Sequence, residues 1–300
     1  MNKILHVFSF LFALMVLYSC ESSRAENGDL LNGVNGGTES GPGSGGGTSD
    51  DKVLKKVTSI DSDGIASVIS YNYNAGKLTT VKVESDGKTD DYTLSYENNV
   101  LSQLKIVQNE GTTELITTLN ITYNGGNVAK ASGNTESGGT VLMKNDTNFT
   151  YDSTGKLKKA NTILSGEDPE NPGTYQPATT MVSDLLFAGN NLSQWKMTMT
   201  NLAPPPIVIP PVVIVANLSN YETNKNPFAT LPIEFTVVAG HFMTGTNSFT
   251  GLSMNNYRST TVNTSEGSYS TNYAYTYDSA GYPTKAVSAE GTLTFEYIKL

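Results

Sequence analysis

The sequence predicts an all-β fold: an antiparallel up-and-down meander that curls into a soluble barrel or a strongly curved sheet. Three observations carry this. Apolar and polar residues alternate over segments of strand length. In Leu115-Ile-Thr-Thr-Leu-Asn-Ile-Thr-Tyr123, Leu115, Leu119, Ile121 and Tyr123 share one face, with Thr118, Asn120 and Thr122 opposite. Gly, Asn and Asp punctuate the chain at hairpin spacing. No long stretch carries the period of an amphipathic helix. One-sided alternation of this kind implies antiparallel strands with one face in water.

The clearest hairpin is Tyr273-Ala-Tyr-Thr-Tyr-Asp-Ser-Ala-Gly281. Tyr273, Tyr275 and Tyr277 share a strand face. Asp278 can bond the backbone two residues on, and Gly281 accepts a positive φ, so Asp-Ser-Ala-Gly fits a type I turn closed by a left-handed residue. The same design recurs upstream. Aligned on the last aromatic before the turn, the copies fall at Tyr73, Tyr96, Tyr123, Tyr151, Phe187 and Tyr277, with spacings of 23, 27, 28, 36 and 90. The first four suit two strands and two turns, and the last implies an insertion. After the turn, Leu78 is followed by Val81 and Val83, Leu101 by Leu104 and Ile106, and Leu192 by Trp195 and Met197. A step of three before a step of two predicts a β-bulge just past each turn.

In chain order, residues 1–20 read as a signal peptide, 21–50 as a Gly/Ser-rich flexible tether, and 51–300 as a single β-meander domain. Lys3 precedes an apolar run that is short for a membrane span. Leu17-Tyr-Ser-Cys20 resembles a lipobox, which implies that Cys20 becomes the acylated N-terminus of a bacterial lipoprotein. A tether of about 30 residues reaches roughly 30 Å. Glu21 rather than Asp follows the cysteine, so an outer-membrane address is expected, with the side of that membrane left open. One face of most strands is apolar and the other carries Thr, Ser, Asn and Lys; if the apolar side is inside, the body is a water-soluble barrel or curved sheet and not a membrane-inserted one.

Three irregular stretches interrupt the strands. Gly166–Pro177 is acidic and proline-rich and could offer Glu167, Asp168 and Glu170 to calcium, but it lacks EF-hand spacing and reads as a solvated connection. Ala203–Ala216 carries Pro-Pro-Pro and Pro-Pro among branched apolar residues. It reads as an edge or crossover segment over the open end of the sheet, or as an apolar ridge for a partner. In Asn226-Pro-Phe228, Asn226 suits an N-cap with Pro227 at the first helical position, so a short helical turn plugging one barrel end is expected.

The catalytic stock is small. Past the leader there is one histidine, His241, and no cysteine besides Cys20, so no His- or Cys-based metal site can be assembled. Neither a nucleophile elbow nor a phosphate-binding glycine loop is found. Carboxylates such as Asp184 and Glu234 remain for glycosidase chemistry, with nothing in the sequence to pair them, while Asp152 and Asp278 read as turn formers. No catalytic residue, metal or cofactor is expected. Lys and Arg number 19 against 28 Asp and Glu, and loss of Lys3 with the leader takes the net charge to −10. That argues against nucleic acid and anionic membrane surfaces as partners. The 16 tyrosines and the single Trp could stack on sugars, but their recurrence at one step before each turn favours packing.

Two resemblances follow from these residues. Tyr151-Asp-Ser-Thr-Gly-Lys-Leu157 and Tyr277-Asp-Ser-Ala-Gly281 resemble degenerate YD repeats of Rhs-type shell proteins, which implies the hairpin and no encapsulating function. The span Tyr221 to Asn226-Pro-Phe228, then Leu252-Ser-Met-Asn-Asn-Tyr257, Tyr275–Thr284 and Phe295-Glu-Tyr297 is similar to a Gram-negative lipoprotein family with a domain of unknown function and a porin-like β fold. That resemblance implies a meander curling into a barrel and no activity. The expectation is a lipid-anchored envelope protein of about 12 to 16 strands. Its expected role is a non-enzymatic binding or structural module for glycan or protein, with candidate binding residues Trp195, Tyr221, Phe228 and Tyr257. The alternatives are a carboxylate-dependent glycan hydrolase and a carrier of an apolar ligand in the lumen.

Overall fold

A computed structural model describes residues 52–110, 113–202, 209–242 and 249–300, with the side chains of residues 110, 241 and 242 excepted. The leader, Cys20, the tether, and residues 203–208 of the proline-rich segment lie outside the described residues.

Seventeen strands follow one another: β1 (Lys52–Asp61), β2 (Ala66–Asn74), β3 (Lys77–Ser85), β4 (Lys88–Glu97), β5 (Val100–Glu110), β6 (Thr113–Asn124), β7 (Asn127–Ser137), β8 (Thr140–Tyr151) and β9 (Leu157–Glu167), then β10 (Tyr175–Ala188), β11 (Asn191–Asn201), β12 (Val212–Lys225), β13 (Asn255–Thr264), β14 (Gly267–Asn272), β15 (Ala274–Tyr277), β16 (Pro283–Ser288) and β17 (Gly291–Lys299). From β1 to β14 each strand pairs antiparallel with its sequence neighbour, and β15, β16 and β17 do likewise. β1 also pairs with β17, which brings the meander round on itself. Gly291, at φ 137°, permits this closure, because a Cβ there would lie 2.1 Å from the Ile60 carbonyl oxygen.

The ring is a nearly closed barrel with one seam. β14 and β15 are two halves of one strand, interrupted at Tyr273. The first half registers with β13 as far as Ser259 opposite Asn272, and the second half pairs with β16. Counted as one strand, they bring the total to the upper end of the sequence expectation. Beyond that register, side chains bridge β13 and β15: Tyr275 donates to the Tyr257 carbonyl (3.1 Å), and the rings of Tyr257, Tyr273, Tyr275 and Tyr277 follow each other at 5.6, 6.3 and 6.0 Å.

The expected bulges are present at all six turns. The register slips at Asn72/Tyr73, Ser95/Tyr96, Thr122/Tyr123, Thr150/Tyr151, Leu186/Phe187 and Thr276/Tyr277. In the first, Tyr73 faces Leu78 and Asn72 faces Thr80, so Thr79 is the extra residue past the turn. The bulge restores Val81 to the inner face after Leu78, which explains the step of three.

The inner face is apolar. Leu54, Leu78, Val81, Leu104, Leu119 and Leu192 are fully buried, while Lys105 and Asn120 on β5 and β6, and Thr93, Asn148 and Lys158 on β4, β8 and β9, are exposed. This polarity is the reverse of a transmembrane barrel, whose apolar band faces lipid.

Between β12 and β13 the chain turns inward. Asn226 caps a 3-10 turn at Pro227–Thr230, its Oδ1 accepting from the Phe228 N–H (3.1 Å), as the sequence predicts. A helix follows, α1 (Ile233–Phe242), that the sequence reading did not anticipate. It has no polar stripe: Phe235, Thr236, Val237, Val238, Ala239 and Gly240 are all buried. A helix apolar all round belongs inside a core and leaves no amphipathic signature. Gly240 is required by close packing, since a Cβ there would come 2.9 Å from the Phe249 ring. The segment is tied to the wall at both ends. Leu54 N–H donates to Thr230 Oγ1 (2.9 Å) and Leu192 N–H to Ser253 Oγ (3.0 Å). Asn226 Nδ2 joins the two ends, donating to the carbonyls of Thr250 (2.6 Å) and Ser253 (2.9 Å).

Farther from these turns the inner face becomes polar on β6 to β9. Thr117 bonds Thr135 (2.8 Å), Asn145 donates to Thr135 (3.0 Å), and Thr147 bonds Thr162 (2.7 Å), all buried. These hydroxyls satisfy one another, which removes most of the cost of burying them. Val212–Ala216, the described end of the proline-rich segment, is not an edge: it pairs with β11, and Val215 and Ala216 pair with β13 as well.

Candidate functional site

The aromatic turns gather at one rim of the barrel, the rim the inward segment enters. Their residues repeat a latch. Tyr73 donates to the Leu54 carbonyl (2.9 Å), Tyr96 to Leu78 (2.8 Å), Tyr123 to Leu101 (2.7 Å), and Tyr297 to Pro283 (2.8 Å), with Tyr221 to Leu192 in the same manner. Each hydroxyl thus ties its strand to the preceding one beside the bulge, where the regular ladder is broken. Each such bond is worth about 1 kcal/mol.

A second repeat concerns the residue just before the buried residue that opens the post-turn strand. Lys77 lays its ammonium over the Tyr96 ring of the next hairpin (5.0 Å), and Lys156 over Phe187 (5.8 Å). At the last hairpin the same position is Tyr282, whose ring lies 5.1 Å from Tyr297 and takes Lys225 on it at 4.7 Å. Cation–π contacts of this kind contribute about 0.5–1 kcal/mol at exposed sites. Between Lys77 and Lys156 the equivalent positions are Val100 and Asn127, both exposed, beside Tyr123 and Tyr151.

Glu234 stands in the middle of this gap. It is half-buried in the first turn of α1, where the helix dipole favours its charge. The helix lies against β7, the strand between those that carry Tyr123 and Tyr151. Among the described residues the Glu234 carboxylate has no hydrogen-bond or ion-pair partner, and neither does the Tyr151 hydroxyl, which makes no latch. Burial first, and then the Glu234 charge, pushes the Tyr96 and Tyr123 phenols up to about 12. Burial, Tyr123 and Glu234 do the same to Tyr151, also to about 12. Three tyrosine rings and one carboxylate therefore share the mouth.

The sequence candidates fall elsewhere. Trp195 is half-buried on β11, edge-on to Phe249 (6.2 Å), and its buried indole N–H has no partner among the described residues. Tyr221 meets Tyr257 edge-on (6.3 Å), and Phe228 meets Phe295 likewise (6.2 Å). Tyr257 is buried and its phenol is pushed well up by burial. The structure brings Tyr221 and Tyr257 together as packing across β12 and β13 and leaves Trp195 and Phe228 apart from them, each packed on a different ring. Asp184 and Glu234 do not face each other. Asp184 alternates with buried Ser183 and Leu185, so it points outward, where it pairs with Lys159 (3.2 Å).

The acidic loop uses its carboxylates internally. Asp168 accepts from Asn171 Nδ2 (2.9 Å), Gln176 Nε2 (2.6 Å) and the Glu170 N–H (2.9 Å), and Glu167 accepts from the Gly173 N–H (2.8 Å). The Asn171 bond leads in holding Asp168 below the usual carboxylate range. Among the described residues no cluster of three or more His, Cys, Asp or Glu could hold a metal. The His241 side chain and Cys20 lie outside what is described. What sequence reasoning missed was the column Lys77, Val100, Asn127 and Lys156. It is legible once the repeats are aligned on the post-turn residue rather than on the tyrosine.

The chain is similar in structure to a porin-like protein from Bacteroides vulgatus, with a TM-score of 0.50 and 14% identity over 83% of this chain and 100% of that one. A porin-like protein from Bacteroides uniformis gives 0.44 and 14% over 82% and 96%. The first likeness establishes the barrel-like all-β fold and agrees with the porin-like fold inferred from the sequence. No family model and no curated protein matches the chain.

Proposed function

We propose that this chain is a lipid-anchored protein of the cell envelope, held at the outer membrane through Cys20, and that it works as a non-enzymatic binding module for glycans. The observation that carries the reading is the reversed polarity of a porin-like barrel: apolar residues and a buried helix inside, charged and hydroxyl side chains outside. Such a wall suits a body standing in water at the end of a tether. The packed helix argues against carriage of an apolar ligand through that half of the lumen. Asp184 and Glu234, on different sides of the wall, support the non-enzymatic reading over hydrolysis, which needs two facing carboxylates. Half-exposed tyrosines at the rim offer faces for sugar rings.

Two experiments test this. Cys20→Ala is expected to move the protein from the membrane pellet to the soluble fraction, and a variant that still sediments with membranes contradicts the anchor. Detergent-solubilised full-length protein is expected to retain specific glycans on an array. Retention of none removes the glycan part of the reading.

A further inference from the structure

We propose that the mouth between Tyr123, Tyr151 and Glu234 binds an organic ammonium group supplied by a ligand. The inference rests on the binding-module reading and names the chemistry its ligand must carry. The argument starts from what the barrel does with its own lysines. Wherever a hairpin carries lysine just before the post-turn strand, at Lys77 and Lys156, the ammonium covers the aromatic of the next hairpin. The two hairpins between them carry Val100 and Asn127, so among the described residues Tyr123 and Tyr151 receive no such cation. At that same place the only acidic residue of α1 projects without an ion-pair or hydrogen-bond partner among the described residues.

The surroundings fit a cation better than a neutral group. The hydroxyls of Tyr96 and Tyr123 are committed to backbone carbonyls, so these rings offer faces rather than hydroxyl protons. Ring faces are attractive to ammonium groups, and a nearby carboxylate supplies the counter-charge. Tyr151 has a hydroxyl uncommitted among the described residues that can accept from a primary ammonium. Tyr123 and Tyr151 stand on alternate strands, so their backbones are about 10 Å apart, two strand spacings. The chemistry has two sources in an envelope, an amino sugar or a lipid headgroup.

The test is calorimetric titration of full-length protein in detergent with glucosamine and with choline, each beside a neutral counterpart, glucose and 3,3-dimethylbutan-1-ol. At least one cation is expected to bind and its neutral counterpart to bind about tenfold more weakly or not at all. Glucosamine alone marks the amino sugar as the source, and choline alone marks the headgroup. Glu234→Gln is expected to weaken binding about tenfold, because it removes the counter-charge and keeps the shape. Asn127→Lys is expected to abolish it by supplying the missing ammonium in cis, while raising the melting temperature slightly. Equal binding of charged and neutral probes, no binding of either cation, or full binding by both variants overturns the proposal. Array-positive protein that ignores both cations overturns this inference and leaves the glycan reading standing.

Discussion

The wall and the inward segment of this barrel are built on opposite principles. In the wall, short-range rules repeat: an aromatic, a turn, a bulge, a buried leucine or valine, and a latch back to the preceding strand. Each unit needs only its neighbours. The segment from Asn226 to Ser253 repeats nothing. Its helix is buried from Phe235 to Gly240, its cap and its return are joined by one asparagine, and the segment contacts strands far away in sequence. The wall has its stability spread over many equivalent bonds, whereas the segment concentrates its own in a few.

That contrast orders the expected effects of mutation. Val238→Asp places a charge at a fully buried site of α1 and should cost more than about 4 kcal/mol, enough to unfold the protein or release the segment. Thermal melting and solubility report it. Asn226→Ala removes three side-chain hydrogen bonds at a buried cap and should cost about 2–4 kcal/mol in denaturant unfolding. If both variants melt like wild type, the segment does not support the barrel.

In the wall, Tyr96→Phe loses one latch and should cost about 1 kcal/mol. The raised phenols add a pH signature. A phenol whose folded value is about 12 contributes stability that is fully present below the unfolded value near 10 and is lost as pH rises through 12. Phenolate absorbance should therefore rise together with alkaline unfolding in that window, and tyrosines titrating freely near 10 would contradict the latches. Smallest of all, Lys130→Ala breaks a 2.5 Å pair with Asp146 on the wet face and should change stability by less than about 0.5 kcal/mol.

The same contrast decides what could be read from the sequence. The hairpins, the bulge past each turn and the inward apolar face were legible because each is set by residues within about ten positions of one another. Leu78, Val81 and Val83 alone give the bulge away. Closure of β1 on β17 was not legible beyond a general expectation of curvature, because the pairing joins the two ends of the domain. The cap at Asn226 was legible from Asn-Pro-Phe, yet α1 was not, since Phe235 to Gly240 carry no helical stripe. Glu234 was singled out as a carboxylate, but Asp184, named beside it, lies outside the wall. The tyrosines around Glu234 are set by the three-dimensional placement of α1 against β7. The ladder from Tyr273 to Tyr277 is the sharpest case. Its alternation announced a strand, while its position at the seam, where side chains replace a backbone ladder, depends on where the meander closes.

The central claim is that the outer wall faces water and not lipid. Lys105 lies in the middle of β5, exposed between buried Leu104 and Ile106. The most direct measurement places a polarity-sensitive fluorophore there, on Lys105→Cys in the full-length chain bound to phospholipid vesicles. The account predicts emission like that of the dye in water, with no quenching by spin-labelled acyl chains. Blue-shifted emission quenched from within the bilayer would contradict it and make the barrel a membrane-spanning one.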